Sequence, residues 1–148
     1  MSDLRELYQE VILDHYKRPR NFGALEEPCS TAQGYNPLCG DQVKVSLLSK
    51  DGTIEDVRFE GVGCAITTAS ASMMTEAVKG RPVNEAEALF ESFHKVLIGE
   101  AELGDADLGK LEALTGVREY PVRIKCATLP WHALRAAIEG EEEQVTTE

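Results

Sequence analysis

The chain has 148 residues, 26 acidic and 15 basic, and a formal net charge of −11 with its histidines neutral. That length suits one domain able to bury roughly two-thirds of its unfolded surface, and 43% hydrophobic residues argue against wholesale disorder. No run approaches the ~18 apolar residues of a membrane span, the acidic balance counts against nucleic acid as a partner, and the start lacks a signal peptide's pattern, so a cytoplasmic location is expected.

Residues 3–17 carry Leu4, Leu7, Tyr8, Val11 and Ile12 in the three-four rhythm of an amphipathic helix. Ser2 or Asp3 can cap it and Pro19 stops it, leaving 18–23 as a turn. A strand at 31–36 has the weakest pattern. Val43, Val45 and Leu47 alternate with polar residues, and Asp51-Gly52 is a strong hairpin signal, so 43–62 reads as two antiparallel strands.

From Cys64 a helix rich in small residues runs to Gly80, a good residue for the position after a helix end. Asn84 with Glu87 three residues on resembles a capping box, starting a helix with a stripe of Ala86, Leu89 or Phe90, Phe93 and Leu97 that ends at Gly99. An acidic loop covers 100–107, and Leu108, Leu111 and Leu114 suggest a short helix closed by Gly116. The last helix is expected from about Thr128 to Ile138, with Pro130 in its first turn, since deeper in a helix proline costs ~3 kcal/mol. These elements make one α+β domain over 1–138, followed by an acidic, flexible tail at 139–148.

None of the four cysteines (Cys29, Cys39, Cys64, Cys126) belongs to a CxxC pair, so a zinc ribbon, a finger and a thioredoxin-type pair are excluded. In a reducing compartment their even number is weak evidence for disulfides. Cys39 lies in a Pro/Gly-bounded turn, Cys64 opens a helix after Gly61-Val62-Gly63, and Cys126 is placed in a connection before the last helix. A helix N-terminus favours thiolate over thiol, the form that binds soft metals and attacks sulfur. Asp41, two residues from Cys39, could serve as a fourth ligand. From this context a shared centre and separate buried thiols stand level.

Four stretches carry a more specific signal. They are residues 12–23 (Ile-Leu-Asp-His-Tyr-Lys-Arg-Pro-Arg-Asn-Phe-Gly), Asn36-Pro37-Leu38-Cys39-Gly40-Asp41, the run from Gly61-Val62-Gly63-Cys64 to Met73-Met74, and Arg123-Ile124-Lys125-Cys126-Ala127. In that order they resemble the NifU N-terminal/IscU family of iron–sulfur assembly proteins. The resemblance implies a SufE/NifU-like α+β fold: a three-stranded antiparallel sheet packed by helices. It also implies a site of Cys39, Asp41, Cys64 and Cys126.

Two departures point to the SufU branch. The IscU branch has a histidine where Lys125 stands, and a longer segment separates Cys64 from Cys126 here. Tyr120-Pro121-Val122-Arg123 is at most a remnant of the IscU proline-rich motif, so a dedicated Hsp70 partner is not carried over.

Members of the SufU branch are similar to zinc-bound sulfur acceptors that work with a pyridoxal-phosphate cysteine desulfurase of the SufS type. Cys39 is then the sulfur acceptor, with Cys126 as the alternative, and zinc is the metal expected on isolation. The competing readings are an IscU-type scaffold that builds a [2Fe–2S] cluster on the same residues for apo-protein recipients, and a structural zinc protein that mediates contacts. Whether the chain is an enzyme, a zinc-dependent sulfurtransferase, or a non-enzymatic scaffold is left open by the sequence.

The remaining candidates have plainer readings. Cys29 matches no ligand position, and His94 reads as a surface residue. His15 reads as a packed histidine, whereas His132, six residues after Cys126, could approach the site. Trp131, Met73 and Met74 read as core or interface. Arg118, Arg123 and Lys125 form a basic cluster near the proposed centre.

Overall fold

The computed structural model describes residues 2–26, 30–37, 40–102, 108–140 and 145–146, with side chains from residue 6 to residue 140. Helix α1 (Ser2–Lys17) ends before Pro19, and strand β1 (Ser30–Asn36) follows. Strands β2 (Asp41–Lys50) and β3 (Thr53–Val62) form the expected hairpin. Asp51 and Gly52 both take positive φ (55° and 78°), the mirror-image turn whose twist matches antiparallel strands. β1 pairs antiparallel with β2 from Ser30↔Leu47 to Asn36↔Asp41, and β2 with β3 from Gln42↔Val62 to Lys50↔Thr53. A two-residue strand β4 (Val145–Thr146) adds parallel pairing to β1, giving the order β3-β2-β1-β4. That pairing lies within the segment read from sequence as a flexible tail; 141–144 and 147–148 fall outside the described residues.

Alternation buries Val43, Val45 and Leu47 on one face of β2. On β3 the register shifts at Leu48/Ser49, passing over Glu55, so Ile54 and Val57 both face inward despite a spacing of three. Segment 18–23 does more than turn: Asn21 and Gly23 bond the backbone of Phe59 at 3.1 and 2.8 Å, covering the outer edge of β3.

Helix α2 (Ala65–Val78) begins at the residue after Cys64 and presents Ala69, Ser70, Ala71 and Ser72, all buried, which lets neighbouring elements approach closely. Helix α3 (Val83–Leu97) starts earlier than the capping-box pattern implied, with Pro82 rather than Asn84 at its N-cap and no side-chain cap bond. The reason is tertiary: the Val83 N–H is satisfied by the Gly52 carbonyl at 2.8 Å, so no capping side chain is required. Ala86, Phe90, Phe93 and Leu97 form its buried stripe, as expected, joined by Val96.

A 3₁₀ segment (Gly109–Glu119) runs through Gly116 instead of closing there. Helix α4 (Pro121–Glu139) is longer than expected by seven residues at its start, and Pro130 lies inside it. Pro121 takes the first-turn position instead, while buried Leu129, Trp131, Ala133 and Leu134 carry the helix through Pro130. α4 packs on β1 and β2, α2 packs on α4 and β3, and the core lies between this helical layer and the sheet. No helix among the described residues is long and apolar enough to cross a membrane.

Candidate metal and sulfur centre

The centre forms where β2 begins, α2 begins and α4 completes its second turn. Asp41 opens β2 and is 1% exposed. Its Oδ1 accepts the backbone N–H of Cys64 at 3.0 Å and its Oδ2 the Thr67 hydroxyl at 2.6 Å. The carboxylate thus caps α2 from another strand, the work that Cys64, with no side-chain cap bond of its own, does not do. Gly63 leaves room for this approach. A Cβ there would stand 3.1 Å from Asp41 Oδ1 and 3.2 Å from Thr67 Cβ.

Cys64 is exposed, whereas Cys126 is buried within α4. One ligand atom each from Asp41, Cys64 and Cys126 lie within 4.8 Å of one another. The Cys64 sulfur is 3.9 Å from Asp41 Oδ2 and 3.4 Å from the Thr67 hydroxyl oxygen. The Cys64 pKa is lowered to about 5: a hydrogen bond with Cys126 is the largest cause and Thr67 adds to it, against burial and the Asp41 charge. On the far side, the Asn36 amide donates to the Cys126 sulfur at 3.7 Å. Asn36 is fully buried and pairs with Asp41 across the β1–β2 turn, so one strand pair steadies two of the three groups.

Three of the four family-matched residues therefore converge from distant stretches of chain. Cys39 lies outside the described residues, as does Cys29. The placement of Cys126 corrects the expectation of a connecting loop: it sits on the buried face of α4, because that helix starts at Pro121. Two thiols and a carboxylate form a donor set that suits zinc or iron. Thr67 and Asn36 were missed by sequence reasoning. Thr67 was legible, being three residues after Cys64 and so on the same face of the first turn.

The histidines belong elsewhere. His15 is 1% exposed and bonds Ser72 Oγ through Nδ1 at 2.7 Å, a packed residue joining α1 to α2. Burial, followed by the Arg20 charge, lowers its pKa. His132 turns away from the centre toward α3, edge-on to Phe90 with ring centroids 5.1 Å apart, because six residues along a helix reach a different face from Cys126. His94 is half-buried beside it at 6.1 Å rather than a free surface residue. Trp131, Met73 and Met74 are core. Arg118 and Arg123 are exposed, and Arg123 lies over the Tyr120 ring.

Comparison with known proteins agrees with this geometry. The sequence model of the NifU-like N terminal domain matches residues 7–128. The zinc-dependent sulfurtransferase SufU of Bacillus subtilis (strain 168) is 43% identical over 141 residues, covering 95% of each chain. The iron-sulfur cluster assembly scaffold protein IscU of Streptococcus pyogenes serotype M1 is 44% identical over 138 residues, covering 93% of this chain and 86% of its own. A crystal structure of the N-terminal part of a nitrogen-fixing NifU-like protein from Brucella abortus superposes with a TM-score of 0.81 at 27% identity, covering 93% of this chain and 95% of that one.

Proposed function

The chain belongs to the NifU-like N-terminal domain family, and on that premise we propose that it handles sulfur in iron–sulfur assembly, accepting persulfide sulfur from a pyridoxal-phosphate cysteine desulfurase. The observation that carries this reading is the convergence of Asp41, Cys64 and Cys126 at the mouth of α2, with ligand atoms within 4.8 Å of one another. Cys39 completes the proposed set. It lies two residues before Asp41, so chain geometry keeps the two Cα atoms within about 7 Å. A zinc ion held by Cys39, Asp41, Cys64 and Cys126 would keep the sulfurs as thiolates and shield them from oxidation.

Transfer needs no external oxidant. The acceptor thiolate attacks the terminal sulfur of the partner's persulfide, and a new S–S bond forms as the old one breaks. The partner cysteine leaves as thiolate. Cys39 is the proposed acceptor. Cys126, at 2% exposure, is shielded from an incoming persulfide, which counts against it as the acceptor. Asp41 orients the N-terminal turn of α2, and Cys64 and Cys126 retain the metal. Recipient assembly proteins are the proposed destination of the sulfur.

A second reading, a scaffold that builds a [2Fe–2S] cluster as cargo, is favoured by near-equal identity to the Streptococcus pyogenes IscU. Zinc content does not separate the two, because zinc outcompetes ferrous iron for such donors. The test uses purified desulfurase, cysteine and the wild-type chain or Cys39→Ser. Sulfur acceptance predicts a one-sulfur mass gain on the Cys39 peptide and faster alanine release, both lost in Cys39→Ser. Failure of both, with anaerobic iron and sulfide instead yielding a cluster that transfers to an apo-ferredoxin, would establish the scaffold reading.

A further inference from the structure

We propose that Thr67 is the positioning residue of this centre: its hydroxyl fixes the orientation in which Asp41 meets a metal ion. The assignment rests on the metal-site reading above and deepens it to a residue outside the four ligands that the resemblance implies.

Asp41 and Thr67 come from different elements, β2 and α2, and each is 1% exposed. An aspartate side chain rotates readily about its last bond, which has broad torsional preferences. One hydrogen bond to one oxygen would leave the other oxygen free to swing. Here both oxygens are held: Oδ1 by the Cys64 N–H at 3.0 Å and Oδ2 by the Thr67 hydroxyl at 2.6 Å. The two donors lie on one helical turn, so the carboxylate plane is fixed relative to α2 and hence to the Cys64 sulfur. Each oxygen retains a lone pair beyond its hydrogen bond, so the carboxylate remains a competent ligand.

The surroundings reinforce this. The Thr67 oxygen also sits 3.4 Å from the Cys64 sulfur, so the hydroxyl touches two of the three ligand groups. A Cβ at Gly63 would stand only 3.2 Å from the Thr67 methyl, so the glycine leaves room for this side chain. Partners that hold metal ligands from behind typically account for ten- to hundredfold in affinity.

The test compares Thr67→Val, which keeps the shape and removes the hydroxyl, with Thr67→Ser, which keeps the hydroxyl. Zinc affinity is measured by chelator competition, ligand geometry by the visible spectrum of the Co²⁺-substituted protein, and folding by the melting of the metal-free chains. Thr67→Val should bind zinc ten- to hundredfold more weakly and shift the cobalt bands, while Thr67→Ser restores both. Thr67→Ala serves in place of the valine variant if the latter melts non-cooperatively. Wild-type affinity and spectrum in the hydroxyl-free variant overturn the assignment, as does an equal loss in Thr67→Ser. A wild-type chain that binds neither zinc nor cobalt overturns the reading of the centre itself, and this assignment with it.

Discussion

Cys64 in the metal-free protein should react with iodoacetamide at a rate that hardly changes between about pH 6 and pH 8, because its pKa is lowered to about 5. At pH 7 a thiol of that pKa is about 99% thiolate, against about 1% for an unperturbed thiol near 9. A less basic thiolate is also a weaker nucleophile. With a Brønsted slope of 0.4–0.5, a drop of about four in pKa costs roughly 40- to 100-fold in intrinsic reactivity. The two factors nearly cancel, so the absolute rate at neutral pH is uninformative and the slope decides. An ordinary thiol gains about tenfold per pH unit across this window; Cys64 should gain almost nothing. The reaction is pulsed, quenched and read at the Cys64 peptide by mass spectrometry, which separates it from the other cysteines. Cys126→Ala removes the largest cause of the lowered pKa, so the inflection should move upward and the slope return. A tenfold-per-unit slope in the wild-type chain would refute the reasoning, and a flat profile unchanged by Cys126→Ala would refute its cause. By linkage, the stability that comes from this thiolate is fully present above the unfolded thiol's pKa and is lost as pH falls through about 5.

Two further outcomes test the frame around the centre. Ser70 donates to the Ala127 carbonyl at 2.5 Å and accepts the Trp131 indole N–H at 3.2 Å, all in the core. Ser70→Ala leaves a buried N–H unpaired at a cost of about 1–3 kcal/mol, a melting-temperature loss of roughly 3–10 °C at this chain length, with a shift in emission from the single tryptophan; unchanged melting and emission would contradict it. His132 has its pKa lowered to about 4 by burial, then by the charges of His94 and Arg135. Its unfolded form takes up a proton near 6.5 and its folded form only near 4, so stability is full above about pH 6.5 and drains away as pH falls through 4. His132→Gln should remove on the order of 2–3 kcal/mol of that acid sensitivity, read as the change in urea midpoint between pH 7 and pH 4; parallel losses in both chains would exclude this origin.

Where local chemistry decides the structure, the sequence was readable. Asp51-Gly52 makes its hairpin turn, Pro19 follows the end of α1, and the stripe of α3 lies where the three-four spacing puts it. Where tertiary contacts decide, it was not. A carbonyl from the β2–β3 turn caps α3, so Asn84 has no capping to do. The interior Pro130 is outweighed by the burial of Leu129, Trp131 and Leu134, and the helix therefore extends back past Cys126. The ligand residues were recognisable as family motifs, yet neither their convergence nor the donors behind them follows from spacing. Asn36 reads only as the end of a weakly patterned strand until the β1–β2 register sets it opposite Asp41 and places its amide against Cys126.

The geometry also weighs against a purely structural role for a bound metal. Domains that need zinc to fold are small and bury little without it. Here the core runs from Val45, Ile54 and Phe59 on the sheet to Phe93, Leu114 and Trp131 on the helical side, and it closes without a contribution from Asp41 or Cys64. The centre sits at the rim of that core, and two of its three groups are held by protein donors: Asp41 by Cys64 and Thr67, and Cys126 by Asn36. The protein's own hydrogen bonds thus position two of the ligand groups, and one sulfur is open to solvent. Cys64→Ser is therefore expected to lower metal affinity, read by chelator competition, while leaving the melting of the metal-free chain unchanged. A reversible acceptor or donor needs such a partly open centre, whereas a structural zinc knot would bury every ligand.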